Sequence, residues 1–353
     1  MFSSYREDDV MILLKNITGK VTPQSTEERE KCIQSGTHYC EMLPIEYEPS
    51  KEYMAAFNDA LSRYKTKTAL SVSVLAKKIY DTIGPNAVLV SLARAGTPIG
   101  ILLKHYLEKN FHTKTSHYTI SIIRGKGIDD NAMRLILRHH SPKNIVFVDG
   151  WTGKGAIAHQ LKEAMQNYDN VKPTLAVLSD PAHIADLYGT HDDFLIPSCC
   201  LNATVSGLLS RTFLRDDIIK KDDFHGAIFY ENLRDKDVTH RFINTIESAF
   251  VRPNMLPTDT NDDSVTNTDV MQEIQHIQEQ FDIHDINLIK PGIGEATRVL
   301  LRRVPWKILV HSMDDTEHLG HLYQLAKEKN VPLEIYPLKY YKACGLIKSM
   351  GDV

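Results

Sequence analysis

The residues best suited to chemistry lie in the segment 145–157, IVFVDGWTGKGAI. Its apolar start predicts a buried strand that ends in an acidic residue, and the glycines that follow permit a tight turn with inward-pointing backbone amides. A helix predicted from Ala156 adds its N-terminal amides and dipole, which favour an anion. The turn is therefore interpreted as a phosphate site, although glycines can also serve only to close a strand–helix turn. The candidate phosphate-binding residues are Asp149, Gly150, Thr152, Gly153, Lys154 and Gly155.

A second turn of this kind lies upstream, in the segment 88–100, VLVSLARAGTPIG. Arg94 is suited to pairing with the oxygens of an anionic ligand because its guanidinium is planar and always charged. Ala93, Ala95 and Gly96 are small, so the backbone can approach a ligand closely. Two anion-binding turns after two strands support the interpretation better than one. The alternative is an ordinary turn with a solvated arginine.

Both turns follow runs of β-branched and apolar residues that are typical of buried parallel strands, at 87–93, 118–123, 145–149 and 174–180. Segments with helical spacing separate these runs, for example 98–109 and 156–167. The alternation predicts an α/β fold, with a parallel sheet covered by helices on both faces. In such sheets ligands bind beyond the carboxyl ends of the strands, which is where both turns lie.

The segment 145–157 resembles the phosphoribosyl pyrophosphate motif of type I phosphoribosyltransferases, in which a strand leads to two acidic residues and a Thr-rich glycine loop. The segment 88–100 stands where that family has its pyrophosphate loop. The resemblance implies that the chain binds phosphoribosyl pyrophosphate with Mg2+. It also implies two catalytic residues, with Asp149 orienting the ribose or holding the metal through water and Arg94 stabilising pyrophosphate. One departure is Gly150, which stands where the family has its second acidic residue.

Between the two turns, Arg124 and Lys126 are flanked by Gly125 and Gly127 directly after a predicted strand. The resemblance implies a mobile loop at this place, and Arg124 and Lys126 are its predicted lid residues. Closure of such a lid would exclude water from a reactive, oxocarbenium-like centre. A solvated basic turn is the alternative.

Four segments together, HYCEMLP, SLARAGTPIG, VFVDGWTGKGAI and SCCLNATVSGLLSRT, resemble the phosphoribosyltransferase-like StiP family of stress-response and tellurite-resistance operons. This resemblance implies transfer of ribose phosphate to an unknown base or related acceptor. Some members are labelled cysteine proteases, so a thiol hydrolase that uses Cys199 or Cys200 is a rival function. A non-catalytic regulator that senses a nucleotide and binds RNA is a third alternative. The candidate bases for the thiol are His183, His191 and His225.

The segment 251–272 is rich in Pro, Asn, Asp and Thr, and it is interpreted as a linker between a domain at 1–250 and a smaller α/β/α domain at 273–353. In the smaller domain, GIGEATR resembles the Gly-x-Asn-Glu-x-Thr-Lys signature of the Pelota RNA-binding family, with Gly294 in place of the asparagine. The resemblance implies that Gly294, Arg298 and Arg302 contact RNA. The alternative is a solvated charged helix in a docking domain.

Composition limits the remaining classes. A net charge of −4 argues against a globally basic nucleic-acid-binding protein and leaves only a local RNA contact. The five cysteines never occur as Cys-x-x-Cys, so neither a disulfide framework nor a zinc site is predicted. No apolar run approaches the roughly 20 residues that span a bilayer, and the first residues lack the layout of a secretory signal. A cytoplasmic location is expected.

Overall fold

The structure is a computed structural model that describes residues 2–257 and 264–348. Its strands are β1 (Met11–Ile12), β2 (Lys15–Asn16), β3 (Val88–Leu92), β4 (Ser116–Ile120), β5 (Ile122–Ile123), β6 (Gly127–Ile128), β7 (Ile145–Trp151), β8 (Leu175–Ser179), β9 (Leu187–Thr190), β10 (Gly226–Ala227), β11 (Ile289–Pro291), β12 (Pro305–Val310), β13 (Leu333–Ile335) and β14 (Ala343–Ile347). The larger sheet has six strands in the order β1-β4-β3-β7-β8-β9, and all neighbouring strands are parallel.

The predicted parallel sheet is confirmed, because the four predicted strands are β4, β3, β7 and β8 in neighbouring positions. Their apolar, β-branched side chains are buried on both faces of the sheet, as expected for central parallel strands. The short edge strands β1 and β9 were not predicted. β1 has only two residues, too few for a pattern in the sequence.

Helices cover both faces of this sheet, as predicted. One face packs against α2, α3 and α6, and the other against α4 and α5. No helix within residues 2–257 and 264–348 combines the length and apolar character needed to cross a bilayer. The helices are α1 (Thr26–Gln34), α2 (Lys51–Ile83), α3 (Gly96–Phe111), α4 (Asp130–His139), α5 (Ala156–Met165), α6 (Thr239–Glu247), α7 (Asn267–Gln280), α8 (Ile293–Arg302) and α9 (Thr316–Glu328).

The C-terminal part of the chain forms a second, four-stranded sheet in the order β11-β14-β12-β13. The predicted alternation of β11, α8, β12, α9 and β13 is present. The central strand β14 was not predicted, and it pairs antiparallel with both β11 and β12. Its sequence ACGLI contains a glycine and follows polar residues, so its strand character depends on burial between two neighbours.

The predicted linker at 251–272 is wrong at its C-terminal end, because α7 already begins at Asn267. Thr266 caps this helix, and Asp269 completes a capping box by bonding back to the Thr266 amide. Val270 is fully buried in the core of the C-terminal domain. The polar residues that resembled a loop are therefore helix-capping residues. Residues 258–263 of the predicted linker lie outside the described residues.

The C-terminal domain packs on the sheet domain through α8. Ile293, Ala296 and Leu300 share a buried apolar cluster with Cys199 and Leu201. The N-terminus of α8 is held by a carboxylate of the sheet domain, since Asp193 accepts a hydrogen bond from the Ile293 amide at 2.9 Å and another from the Lys342 amide at 2.9 Å. This contact directs one face of α8 toward the carboxyl ends of the parallel strands.

Candidate functional site

The turn after β7 presents a run of free backbone amides. In residues 153–158 no amide N–H has an acceptor among the described residues, and the first bond of α5 runs from the His159 amide to the Gly155 carbonyl. Gly155 adopts a positive φ of 83°, which L-residues rarely adopt and which brings the chain into the helix. These residues line a cavity of about 480 Å3. Such a nest of amides at a helix N-terminus binds anions.

The Thr152 side chain stabilises this turn through hydrogen bonds, and its hydroxyl hydrogen does not point into the cavity. Its Oγ1 donates to Oδ1 of Asp180 at 2.5 Å and accepts from the Ala182 amide at 3.3 Å. Burial raises the pKa of Asp180, and the Thr152 hydroxyl and the Ile184 amide partly oppose that shift. The predicted phosphate contact of the Thr152 hydroxyl is therefore replaced by a structural hydrogen bond.

Lys154 lies in the same turn, and its ammonium group reaches the C-terminal domain. Its Nζ donates to the carbonyl of Ile286 at 2.5 Å and to that of Ile289 at 2.6 Å. Burial lowers the pKa of Lys154 to about 7, and the positive charge of Lys290 acts in the same direction. The group lines the cavity and is poised to lose or gain a proton near neutral pH.

Asp149 lies on β7, directly before this turn. The Gly150 amide donates to its Oδ1 at 2.8 Å, and no other hydrogen bond or ion pair to this carboxylate is found within residues 2–257 and 264–348. Burial raises the pKa of Asp149 to about 6, which the Gly150 amide and the Arg298 charge partly oppose. A carboxylate with unused acceptor positions therefore stands beside the free amides. Gly150 itself brings no side chain to the site.

The second predicted turn forms the adjoining wall. Ala93, Arg94 and Ala95 line a further cavity of about 560 Å3, which meets the first at Asp149 and Ala95. The Ala93–Arg94 peptide is cis. Gly96 lines neither cavity, and its place is explained by packing, because a Cβ there would lie 2.2 Å from the Val148 carbonyl oxygen.

Arg94 is less free than the sequence suggested. Its guanidinium donates to the Leu209 carbonyl at 2.7 Å and to Oδ1 of Asn202 at 2.7 Å. A carboxylate oxygen of Glu46 lies 3.9 Å from its Nη1. The side chain still borders the second cavity, so its charge reaches a ligand there while its direct donors are largely in use.

The predicted lid is a short hairpin of β5 and β6 with Arg124 at its turn. The Arg124 amide donates to the Tyr39 hydroxyl at 2.9 Å, and its guanidinium donates to Oδ1 of Asn287 at 2.7 Å. Arg124 lines the first cavity, whereas Lys126 is exposed and lines neither cavity. The hairpin is tied to the N-terminal arm and to the C-terminal domain, and its role as a lid stays a prediction.

The two cavities form one cleft between the sheet domain and the C-terminal domain, and positive charge dominates it. The Nε atoms of Arg29, Arg298 and Arg302 are buried without an acceptor among the described residues. Tyr39, at the junction of the cavities, lies 4.8 Å beneath the Arg211 guanidinium. Neither Arg29 nor Arg211 was predicted as a site residue. Arg29 lies in α1, and Arg211 lies in the segment SCCLNATVSGLLSRT. The cations that line the cleft are Arg29, Arg94, Arg124, Lys154, Arg211, Lys290, Arg298, Arg302 and Arg303.

Of the residues predicted to bind RNA, Arg298 and Arg302 line this cleft, whereas Gly294 is buried and lines neither cavity. A Cβ at Gly294 would lie 3.0 Å from Cys199 Sγ, and the Arg298 guanidinium lies 4.2 Å over the ring of Trp151. Arg302 donates to the Leu201 carbonyl at 2.6 Å. The helix start expected to accept an RNA phosphate is already capped by Asp193. In this arrangement Gly294, Arg298 and Arg302 belong to the domain interface.

The thiols predicted as alternative nucleophiles are not paired with the predicted bases. Cys199 and Cys200 are buried, and burial raises the pKa of Cys199 to about 12 and that of Cys200 further still. His191 donates from Nδ1 to the Asp180 carbonyl and stacks on His183, while His225 bonds to Ser121 Oγ at 2.8 Å. Neither thiol has a histidine partner among the described residues.

One cysteine–histidine contact is present that the sequence analysis missed. Nδ1 of His38 lies 2.9 Å from Sγ of Cys40, and its Nε2 lies 3.0 Å from the Arg124 carbonyl oxygen. Cys40 is fully buried, and burial raises the pKa of its thiol. The pair lies next to Tyr39 at the cleft, although neither His38 nor Cys40 lines a cavity.

Comparison with known proteins identifies two family models. Residues 3–247 match the model described as tellurite-like stress resistance cysteine protease StiP, and residues 268–349 match the PELOTA RNA binding domain. A protein of Acinetobacter baylyi named Cysteine protease StiP is 36% identical over 367 aligned positions, covering 99% of this chain and 94% of that protein.

Two solved structures resemble parts of the chain weakly. Helicobacter pylori xanthine-guanine-hypoxanthine phosphoribosyltransferase has 20% identity and a TM-score of 0.25, covering 34% of this chain and 78% of that one. A hypothetical protein from Neisseria gonorrhoeae with bound ppGpp has 17% identity and a TM-score of 0.26, covering 36% of this chain and 80% of that one. The sheet order described above remains the basis of the fold assignment.

Proposed function

The chain belongs to the StiP family of tellurite-like stress-resistance proteins, and we propose that it is a phosphoribosyltransferase-like enzyme. It binds phosphoribosyl pyrophosphate in the cytoplasm and transfers the ribose phosphate to a base or related acceptor. The observation that carries this proposal is the run of free amides at 153–158, beside a carboxylate and inside a cationic cleft. Phosphoribosyl pyrophosphate has a phosphate at one end, hydroxyl groups in the middle and pyrophosphate at the other end. These groups match, in the same order, the amides, the carboxylate and the cationic residues of the cleft.

In the proposed complex, one end of the ligand lies in the first cavity and the other end lies in the second. The 5'-phosphate lies on the amides of residues 153–158, Asp149 accepts hydrogen bonds from the ribose hydroxyls, and pyrophosphate lies toward the second cavity near Arg94. In the reaction the bond between the anomeric carbon and pyrophosphate oxygen breaks, pyrophosphate leaves with the electron pair, and the acceptor forms the new bond. The arginines of the cleft offset the charge that develops on pyrophosphate, which is where fixed positive charge is most effective.

We expect phosphoribosyl pyrophosphate to bind together with Mg2+. The described residues contain no group of three acidic, histidine or cysteine side chains that would form a dedicated cation site. This fits Mg2+, which is commonly held by one or two carboxylates together with substrate phosphates. Asp149 has the free oxygen that would hold it, directly or through water. When bound, the ion supplies charge neutralisation at the phosphate oxygens.

The proposal is tested by measuring binding of phosphoribosyl pyrophosphate with Mg2+ and release of pyrophosphate across a panel of bases. We expect binding by the full-length chain and release of pyrophosphate with at least one acceptor. If the protein fails to bind phosphoribosyl pyrophosphate, the proposal is wrong. Binding without release across the panel instead favours the non-catalytic, nucleotide-sensing regulator.

Phosphate binding is expected to depend on the protonation of Lys154. Its pKa is about 7 in the free protein, and an adjacent phosphate raises that pKa, so binding above about pH 7 takes up a proton. The affinity for ribose 5-phosphate should therefore fall as the pH rises above about 7, by up to roughly tenfold per pH unit. Calorimetric titration at about pH 8 in buffers of different ionisation enthalpy measures the uptake.

The matched control for this prediction is Lys154→Arg, because arginine stays charged throughout this range. We expect the arginine variant to bind without proton uptake and with little dependence on pH. An arginine variant that takes up as many protons as the wild type would show that another group titrates.

A thiol hydrolase is the second candidate function, favoured by the Cys40–His38 contact and by the name of the A. baylyi relative. We expect Cys40→Ser, Cys199→Ser and Cys200→Ser to retain binding of phosphoribosyl pyrophosphate, because serine is close to cysteine in size and the proposed ligand contacts involve none of these buried thiols. Iodoacetamide should alkylate the half-buried Cys32 before the other cysteines, as read by mass spectrometry. Peptide cleavage by the wild type that one serine variant abolishes would establish the hydrolase.

We also propose that the C-terminal domain binds RNA, as supported by its match to the PELOTA RNA binding domain. The expected result is binding of RNA that weakens steeply with salt. Arg298 and Arg302 face the cleft. Replacing both by alanine therefore tests whether RNA binds in the cleft or on another face of the domain. Loss of binding would indicate that RNA enters the cleft or that the domains open, and retained binding would assign RNA to another face.

A further inference from the structure

A pair of carboxylates lies where the two cavities of the cleft meet. Among the acidic residues of the described chain, only Asp149 and Glu295 line both cavities. Asp149 comes from β7 of the sheet domain, whereas Glu295 lies in the first turn of α8 in the C-terminal domain. The two domains thus each contribute one carboxylate at the junction.

Glu295 is held over the phosphate-binding turn by the contacts of α8. A Cβ at Gly153 would lie 3.9 Å from Cγ of Glu295, so the side chain passes directly above the turn. The Asp193 carboxylate fixes the start of α8 against the sheet domain, two residues before Glu295. Arg298 Nη1 lies 3.4 Å from Oε1 of Glu295. The side chain is 26% exposed, which leaves it open to a ligand in the cleft.

The charges around Glu295 keep it ionised. Burial acts to raise its pKa, but the nearby charges of Arg298 and Lys290 outweigh burial and hold the pKa below its usual value. Asp149 offers its second carboxylate oxygen, because within residues 2–257 and 264–348 its one hydrogen-bond donor is the Gly150 amide. Both groups therefore have acceptor positions left for donors of a ligand.

A sugar with two neighbouring hydroxyl groups presents two such donors. Each hydroxyl donates one hydrogen bond, and an ionised carboxylate is the strongest acceptor that a side chain offers. Gly150 provides no second carboxylate next to Asp149 on β7. Glu295 is the carboxylate that lies across the cleft from Asp149, where it can accept from one hydroxyl while Asp149 accepts from the other.

We propose that Glu295 of the C-terminal domain supplies the second carboxylate of the sugar site, accepting a hydrogen bond from a vicinal diol whose phosphate lies on the amides of residues 153–158. This inference rests on the proposed function and assigns the specificity of the same site. It makes the C-terminal domain part of the sugar site, so the bound ligand bridges the two domains. The ligand class is a phosphorylated pentose with free neighbouring hydroxyls.

The test uses two probes, ribose 5-phosphate and methyl phosphate, with the full-length chain. Methyl phosphate keeps the phosphate and lacks every hydroxyl group. In Glu295→Gln we expect the affinity for ribose 5-phosphate to fall by about 10- to 100-fold, the range for a hydrogen bond to a charged group. The affinity for methyl phosphate should stay equal or rise, because a negative charge has left an anion site. Calorimetric titration measures both.

Two further variants serve as controls for the role of Glu295. Glu295→Asp keeps the charge near Arg298 but withdraws the carboxylate by one methylene, and it should also lose preference for ribose 5-phosphate. Glu317→Gln changes an exposed glutamate in the first turn of α9 and should leave both affinities unchanged. Thermal unfolding of each variant shows whether the fold is retained.

The outcomes separate this inference from the proposed function. If Glu295→Gln strengthens both probes equally, the residue is only background charge and the inference is overturned. Equal wild-type affinity for both probes also overturns it, while the phosphate turn stands. If the wild type binds neither probe, the phosphate turn and the proposed function fail together with it.

Discussion

Replacing Gly96 by alanine is expected to destabilise the protein by about 3 kcal/mol, the upper part of the range for overpacking a well-packed site. The added Cβ would lie 2.2 Å from the Val148 carbonyl oxygen and 3.2 Å from the Asp149 Cα, so the backbone of one turn must move. That movement pushes the two anion-binding turns apart. We therefore expect loss of phosphoribosyl pyrophosphate binding together with the loss in the free energy of unfolding, measured by denaturant titration.

The control for this variant is Gly320→Ala in α9. Apart from the backbone of the helix itself, no heavy atom of the described residues lies within 4 Å of a Cβ placed there. Alanine should stabilise the protein by about 0.5–1 kcal/mol, since glycine is disfavoured in helix interiors. If Gly96→Ala leaves both stability and ligand binding unchanged, the close approach of the two turns is not required.

The second large effect is expected for Asp149→Asn. The amide keeps the shape of the side chain but removes the charge that accepts the ribose hydroxyls or holds the metal. Release of pyrophosphate should fall by about 100-fold, in line with the loss of one charge-assisted contact in a partly enclosed site. Binding of methyl phosphate should not weaken, because the amides of residues 153–158 are untouched.

Asp169→Asn serves as the matched control, because this aspartate is exposed and lies outside both cavities. We expect its pyrophosphate release to equal that of the wild type. Unchanged release in Asp149→Asn would remove Asp149 from the reaction. A parallel loss of methyl phosphate binding would indicate that the substitution distorts the turn and would leave the role of the charge without support.

Local patterns in the sequence were sufficient for much of the fold. The central strands β3, β4, β7 and β8 are continuous apolar runs, so their burial on both faces could be predicted from residue type alone. The start of α7 could not, because Thr266 and Asp269 have the composition of a loop and act as a capping box. Capping residues and turn residues are the same types, and only the helix that follows distinguishes them.

Some residues of the candidate site could likewise be predicted from the sequence, and others could not. The turn at 152–155 could be found because glycines, a strand end and a helix start are adjacent in sequence. The role of Thr152 could not, since its hydroxyl is directed at Asp180, 28 residues away. Arg29 and Arg211 likewise enter the cleft from segments that are distant in sequence from the turn, so only the tertiary fold brings them there.

The sequence by itself determined the parallel sheet, the glycine-containing turn with Asp149 beside it, and the two families that the chain resembles. Those features are encoded by residue type and by spacing over about a dozen positions. Only the tertiary structure decided that α8 turns its arginines and Glu295 toward the sheet domain, because that orientation depends on Asp193 capping the helix and on apolar packing between distant segments. Long-range packing leaves no periodic trace in the sequence, and it is this packing that converts a helix resembling an RNA-binding element into one wall of the cleft.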